Sequence, residues 1–511
     1  MTRSVLVAIA GIALLAFGAI AEFITSRRYT EQHVVANAGN CKMDVTVLER
    51  SGGSANAEVG TVVLFHGLAA NKVVMRYLAR AFAEQGLRVY IPDLPGHGRS
   101  AGPFTPDQAE ACGLSFVRGL AARGFIRPER TILAGHSMGA AIALRVAAKF
   151  RPAGVVAISP APMQTAHGLT PEVLLFHNLP ALQPNTLIMV GRFEPEWMRS
   201  NAEELASTSN DATVDFAVIP RGTHVGVLFS PMVARMAQEW AAKVLQLPGT
   251  APLPTRLGFL GGLWGLLGIL LIAGPFIREA IGEQSTATAV APASSSAYGQ
   301  HHPLRLAAEF TFVSLAVVLL LRYWMPLRPL RLFEGDYLAS FLLLAGLIIV
   351  LLHAKIAQVH FKAKATLLVS AAFAAVVLHL LLTGWMQLTL TGAWLTTERW
   401  TRFPLFFIAA FLFLYGFEVA LGPVVLGQAR RRFWLGLSLF AVAWMVLILG
   451  VTELRSGAIL LLLMSPYFAV QFALMEMGAQ LVRRASGSAT AAAIFGAILW
   501  TGFCLVLFPV S

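Results

Sequence analysis

The chain has 511 residues, of which 56% are hydrophobic and 13% charged, a balance too apolar for a soluble globular protein of this length. Its formal charge of +12, from 39 basic and 27 acidic residues, sits at the ends of apolar blocks instead of in one stripe, which reads as membrane topology and not as a nucleic-acid surface. Its cysteines, Cys41, Cys112 and Cys504, have no metal-ligand spacing, and neither a metal site nor a cofactor is expected.

The first apolar block, "SVLVAIAGIALLAFGAIAEF" (4–23), lies between Arg3 and "SRR" and is long enough to cross the hydrocarbon core. We read residues 1–26 as a membrane anchor or signal-anchor. A signal peptide is the alternative, because "AIA" before Glu22 fits a small-residue cleavage site. Either reading sends residues 27–250, an aqueous domain by composition, across the membrane.

In that domain "TVVLFHG" (61–67), "RVYIPDLPGHGRS" (88–100), "TILAGHS" (131–137), "GVVAISP" (154–160), "NTLIMVG" (185–191) and "TVDFAVIP" (213–220) are short apolar, β-branched runs ending in turn residues. Helical patterns such as "NKVVMRYLARAFAEQG" (71–86) and "PMVARMAQEWAAKVLQL" (231–247) alternate with them. Strands buried on both faces and alternating with helices predict a mainly parallel sheet covered on both sides.

In such a sheet "TILAGHSMGAAIALRVAA" is strand, sharp turn and helix with Ser137 at the apex. Gly135 and Gly139 leave room for the turn, as a nucleophile elbow requires. A serine hydroxyl needs a base at neutral pH, and His224, in a turn after the last strand, is the candidate. His66, His97 and His136 are better explained as structural, and His167 and His177 are weaker competitors on a connecting segment. The imidazole needs a carboxylate to hold its tautomer. Glu194 stands just past a strand's carboxyl end, whereas Glu196 enters the next helix and Asp215 lies inside a strand. The oxyanion of the transition state calls for preorganised N–H groups, here those of Met138 and, most simply, Leu68.

The motifs "LFHGLAANK", "DLPGHGRSAG", "GHSMGA", "GRFEP" and "GTHVG" resemble those of the α/β-hydrolase superfamily, and "GHG-S" followed by "GHSMG" is most similar to its monoacylglycerol lipase and lysophospholipase-like branch. The resemblance covers roughly residues 43–247 and implies carboxylic ester hydrolysis through an acyl-enzyme on Ser137. Two positions depart from it: Glu194 stands where that branch usually has Asp, and Ala140 where many members have Gly. A third departure is an absence, because "MQTAHGLTPEVLLFHNLPALQP" (163–184) replaces the cap domain common in the family. It fits one short helix with Leu174, Leu175 and Phe176 apolar, a minimal cap over an open site.

Residues 251–511 read as an all-α polytopic transmembrane domain of about eight spans: 257–277, 305–325, 337–354, 365–386, 403–426, 433–451, 456–475 and 489–509. The intervening 282–302 is a polar, Pro-containing loop. Arg3, Arg278, Arg305, Lys355, Lys362, Lys364, Arg430–Arg432, Arg483 and Arg484 fall on the N-terminal side. Arg322, Arg328, Arg331, Arg399, Arg402 and Arg455 fall on the other. The excess makes the N-terminal side cytoplasmic and places the aqueous domain and the C-terminus outside it. Export permits a Cys41–Cys112 disulfide, although neither spacing nor sequence shows that they meet.

Within the spans, Glu418, Gln471 and Glu476 read either as a functional intramembrane group or as residues that are interfacial or paired with Arg430–Arg432. His353, His360 and His379 read as packing or interface residues, and Trp385, Trp394, Trp400 and Trp434 as interfacial anchors. The expected function is a membrane-bound serine hydrolase acting on acyl ester or lipid substrate, with membrane lipid as its surroundings and no nucleic-acid partner. An acyltransferase using the same acyl-enzyme, and a transporter or assembly module with a hydrolase-like domain, are the alternatives.

Overall fold

A computed structural model describes residues 3–52, 59–163, 174–178, 180–207, 214–282, 303–323, 328–354, 357, 364–422, 428–453 and 459–511. The chain divides into two compact units. One holds Ala16–Gly265, Trp385–Trp394 and Pro509–Ser511; the other holds Met1–Leu15, Leu266–Gly384 and Leu395–Phe508.

The first unit is built on one eight-stranded sheet. Its strands are β1 (Tyr29–Ala38), β2 (Cys41–Arg50), β3 (Thr61–Phe65), β4 (Arg88–Pro92), β5 (Thr131–His136), β6 (Gly154–Ile158), β7 (Thr186–Gly191) and β8 (Val214–Ile219), in the order β1-β2-β4-β3-β5-β6-β7-β8. β1, β2 and β4 pair antiparallel, and from β4 through β3 to β8 every pairing is parallel. Every residue of β3, β5, β6 and β7 is buried, which is why these strands are continuous apolar runs and not alternating ones.

Period-two alternation sends Val62, Leu64, Ile132, Ala134, Val156 and Ile158 to one face. There they meet Leu78 and Phe82 of α2 (Arg76–Glu84) and Ala237 and Trp240 of α6 (Pro231–Leu245). The helix read over 71–86 opens with a short 3-10 turn, Lys72–Met75, capped by Asn71. α3 (Pro106–Ala122) packs beside α4 (Met138–Phe150), and α5 (Glu196–Ser207) follows β7.

The β1–β2 hairpin is an addition to the strands read from sequence. β1, "YTEQHVVANA", is largely exposed, so it carries no apolar run to betray it. Cys41 at the start of β2 is disulfide-bonded to Cys112 of α3, with 5.7 Å between their Cα atoms, across 71 residues of chain. Closing so long a loop in the unfolded chain removes roughly 4 kcal/mol of entropy by the chain-entropy account. Cys41→Ser is therefore expected to lower stability by about 2–4 kcal/mol, read as a lower denaturant midpoint in detergent. Alkylation of two thiols in the native, non-reduced protein would contradict the bond.

The N-terminal helix α1 (Arg3–Ser26) uses glycine for close approach at two points, one in each unit. A Cβ on Gly18 would stand 2.4 Å from Gly261 O, and one on Gly11 2.7 Å from Gly268 O. Glu22, beside the small residues that suggested cleavage, is ion-paired with Arg80 of α2 at 3.1 Å.

Eight described helices are long and apolar enough to cross a membrane: Arg3–Ser26, Leu257–Ile281, Pro303–Tyr323, Gly335–Leu352, Ala365–Thr389, Phe403–Leu421, Ala429–Val451 and Ala489–Leu507. Seven of them follow the sheet domain, where eight spans were read. The block expected at 456–475 is instead a short helix, Ile459–Leu463, and a separate one, Ser465–Ser486. Pro466 in the first turn of the second helix favours a new start there. Arg455, Lys355, Lys362, His360 and the 283–302 stretch of the expected loop lie outside the described residues.

In the helical unit Arg432 donates to Glu418 Oε2 at 2.6 Å and to Glu476 Oε1 at 3.1 Å, all three side chains being buried. Glu418 is thus a paired group, as a buried carboxylate must be. Arg399, read as a topology charge, is buried and donates to the carbonyls of Leu505 and Phe508 (2.8 Å to the latter) at the end of the last helix. Trp394, Trp400 and Trp434 are exposed, whereas Trp385 is buried with its indole N–H on Gly262 O at 2.7 Å, a packing role in place of the expected anchor.

Candidate active site

Ser137 stands between β5 and α4 with φ +55° and ψ −120°, a strained combination that the surrounding packing must enforce at a cost of order 1–3 kcal/mol. The two neighbouring glycines make it possible. A Cβ on Gly135 would lie 2.2 Å from Gly139 O, and one on Gly139 2.3 Å from Phe65 O, so any larger residue pushes α4 off the sheet.

His224 follows β8, and its Nε2 is 3.0 Å from Ser137 Oγ. Its Nδ1 is 2.9 Å from Glu194 Oε2. The three side chains therefore form one hydrogen-bonded line from the elbow to a buried carboxylate. Glu194 is fully enclosed, while His224 keeps partial exposure. Glu196, at the start of α5, is exposed. Asp215 lies on β8 with Lys243 at 3.8 Å. His177 is exposed, and His167 falls outside the described residues.

Two partners of this line carried no sequence signal. Glu194 Oε1 accepts from Ser159 Oγ, just past β6, and from Gly191 N at 2.7 Å. His136 donates from Nε2 to the backbone carbonyl of His224 at 2.7 Å, tying the loop after β8 to the elbow. The residue following β6 and the residue preceding Ser137 are ordinary members of strand ends, and their partners lie 35 and 88 positions away.

The loop after β3 reaches the same place. A Cβ on Gly67 would be 3.1 Å from Ser137 Cβ, so the loop that carries Leu68 passes close to Ser137. His66 holds that loop by donating from Nδ1 to Gly67 O (2.8 Å) and accepting at Nε2 from Leu94 N (2.9 Å). Ala70 N returns to Gly67 O at 3.2 Å with Ala69 at φ +59°, a tight turn. Met138 N opens α4 immediately after Ser137, where the helix's first N–H groups have no intrahelical acceptor. Of the segment read as a minimal cap, residues 164–173 and 179 lie outside those described, and Leu174 and Phe176 are buried.

Burial, together with the His224 ring, pushes the His136 pKa down to about 3, against about 6.5 in an unfolded chain. As pH falls from 6.5 toward 3, the unfolded chain takes up a proton that the folded chain does not. This contribution to stability is complete above about 6.5 and is lost at up to about 1.4 kcal/mol per pH unit below it. Burial lowers the His66 pKa in the same sense, while burial raises that of Asp93, which acts oppositely. The melting temperature is expected to fall between pH 7 and pH 5, and to fall less steeply in His136→Gln. Parallel slopes for the two proteins would remove His136 from this account.

A mainly parallel sheet, a serine at a strained strand-to-helix elbow, and a histidine and carboxylate on the loops after later strands define the α/β-hydrolase fold. Residues 62–274 match the alpha/beta hydrolase family. The chain is 30% identical over 168 residues to a monoacylglycerol lipase of Mycolicibacterium smegmatis, covering 32% of this chain and 59% of that protein. It is 28% identical over 110 residues to the esterase YjfP of Escherichia coli, covering 19% of this chain and 43% of that protein. It thus spans less than two thirds of either relative. Among solved structures, XC6422 of Xanthomonas campestris, a serine hydrolase described as lacking a lid, is 22% identical, with 44% of this chain and 97% of that one covered and a TM-score of 0.35. The chain therefore carries a domain of the α/β-hydrolase fold together with many long apolar helices.

Proposed function

We propose that this protein is a membrane-bound serine hydrolase that cleaves carboxylic esters, lipid-derived acyl esters in particular, through an acyl-enzyme on Ser137. The observation that carries this reading is the unbroken line Ser137 Oγ, His224 and Glu194 at 3.0 and 2.9 Å. The similarity to an esterase and a monoacylglycerol lipase supports the substrate class.

In the first half-reaction Ser137 Oγ attacks the ester carbonyl carbon while His224 Nε2 takes its proton. The negative charge on the carbonyl oxygen is met by the N–H groups of Met138 and Leu68, and Glu194 stabilises the imidazolium. The tetrahedral intermediate collapses, the carbon–oxygen bond to the alcohol breaks, and His224 returns the proton to the leaving oxygen. Water repeats the sequence on the acyl-enzyme and releases the acid.

In this proposal the sheet domain lies outside the cytoplasm. The Cys41–Cys112 bond supports this, since such bonds persist in oxidising compartments, and so does the excess of Lys and Arg on the N-terminal side of the spans. Reporter fusions are expected to place residue 511 and the sheet domain outside and the helix start bearing Arg430–Arg432 inside. A cytoplasmic signal from the sheet domain would reverse the orientation.

The function is tested by giving purified full-length protein a series of acyl esters with and without added glycerol. Release of free acid at a rate that glycerol leaves unchanged is the expected result. Acyl transfer to glycerol at the expense of free acid would make the enzyme a transferase, and absence of both products across the series would overturn the reading.

A further inference from the structure

We propose that the Thr391–Gly392 turn, more than three hundred residues downstream of β3, positions the oxyanion loop through the side chain of Asn71. The inference rests on the serine-hydrolase reading above and adds to it a positioning element that lies outside residues 27–250.

The loop 66–72 runs from β3 to the short turn that precedes α2, and Leu68 lies in its middle. Its two ends are fixed from inside the sheet. His66 bonds Gly67 O and Leu94 N, as described, and Asp93 Oδ1 accepts from Lys72 N at 2.7 Å. Between these anchors the fixed point is Asn71, which is 5% exposed.

Its amide is fully used. Oδ1 accepts from Val73 N (3.1 Å), capping the 3-10 turn, and from Gly392 N (2.8 Å). Nδ2 donates to Gly392 O (2.9 Å) and to Thr391 Oγ1 (3.1 Å). An Asn side chain has two acceptor sites and two donors, and here three of the four bonds go to one turn. By bonding both N and O of Gly392, the amide pairs with that residue as a strand neighbour would.

The turn is itself held. Gln387 Oε1 accepts from Ala393 N (2.9 Å) and Trp394 N (3.3 Å), and Arg76 of α2 donates to Leu388 O at 2.8 Å. Residues Trp385–Trp394 accordingly belong to the same compact unit as the sheet. A preorganised turn that grips the residue three positions after Leu68 sets where the Leu68 N–H points. An oxyanion donor acts only within about 2.7–3.1 Å of the developing charge, and losing one entirely costs about 10²–10³ in kcat.

Two substitutions in the full-length protein separate the clamp from the cap. Asn71→Ser keeps a good capping hydroxyl for Val73 N but is too short to reach Gly392. Gly392→Ala leaves Asn71 intact and places a Cβ 2.8 Å from its Oδ1, displacing the amide from the far side. Each is expected to lower kcat on a short soluble ester about 10- to 100-fold with KM changed less than about threefold. A boronic acid, whose bound oxygen occupies the oxyanion position, should lose affinity in step with kcat/KM. The double variant should be no worse than the poorer single one, because both remove the same interaction. An active-serine phosphonate should still label Ser137 in both.

Unchanged kcat in Gly392→Ala, or losses that multiply in the double variant, would overturn the clamp, and Gly392→Ala decides the matter if Asn71→Ser does not fold. Turnover by the wild type with equal turnover by the variants sinks this inference alone. A wild type that neither turns over esters nor takes the phosphonate sinks the hydrolase reading and the clamp with it.

Discussion

Ser137→Ala is expected to reduce ester turnover by several orders of magnitude, on the order of 10⁶-fold when hydrolysis by the rest of the site is fully measurable. In the proposed mechanism the loss is large because the residue does not merely bind substrate: without Oγ no covalent intermediate forms, and His224 has no nucleophile to deprotonate. The stability change should be small by comparison. The hydroxyl makes one hydrogen bond, at 3.0 Å to His224, and a single such bond contributes about 1 kcal/mol. The backbone strain at φ +55° is untouched, since alanine inherits it. Initial rates on a short-chain ester, with a melting curve beside them, check both parts. Turnover within tenfold of wild type would move the nucleophile elsewhere.

The second large effect is expected in Glu194→Gln, with a loss of about 10³–10⁴ in kcat, comparable with other carboxylate-to-amide changes that leave a triad's geometry intact. The surroundings of Glu194 dictate the cause. Ser159 Oγ and Gly191 N both donate to Oε1, so a glutamine must keep its carbonyl oxygen there and turn its NH₂ toward His224 Nδ1. That amide donates where the carboxylate accepted. The imidazole then carries its proton on Nε2, which faces Ser137 as a donor instead of a base. Glu196→Gln, at an exposed position on α5, should stay within about twofold of wild type. Full activity in Glu194→Gln with a dead Glu196→Gln would exchange their roles. Ser159→Ala should relax the amide's orientation and blunt the tautomer effect when combined with Glu194→Gln, a coupling a double-mutant cycle reads directly.

What could be read in the sequence depended on how local its cause was. Strands β3, β5, β6 and β7 announce themselves because each is buried along its whole length and so is built mostly of apolar residues. The elbow was visible because its two glycines answer to backbone atoms within a few residues or on the adjoining strand end. The β1–β2 hairpin was not visible, since an exposed edge strand needs no apolar run. Nor was the bonding of Asn71 to Gly392: nothing around either residue marks a partner 321 positions away. Ser159 falls in the same class, a small residue whose importance lies in what β7 places opposite it. The misplaced span at 456–475 has a different origin. Apolarity there is continuous across Met464, so hydropathy alone runs the block together, while Pro466 and the basic end at Arg483 and Arg484 shift the observed helix to Ser465–Ser486.

The two cysteines illustrate the limit from another side. The expected export would make a bond chemically possible, but the pairing depends on β2 starting beside α3, a tertiary fact that sequence spacing does not encode.

The most direct test of the account is chemical labelling of the intact, full-length protein with a fluorophosphonate, followed by peptide mapping. The account predicts one adduct per chain, on Ser137, lost in His224→Ala and slowed in Glu194→Gln. An unlabelled protein, or an adduct on a different residue while ester turnover continues, would contradict the assignment of Ser137, His224 and Glu194 as the catalytic line.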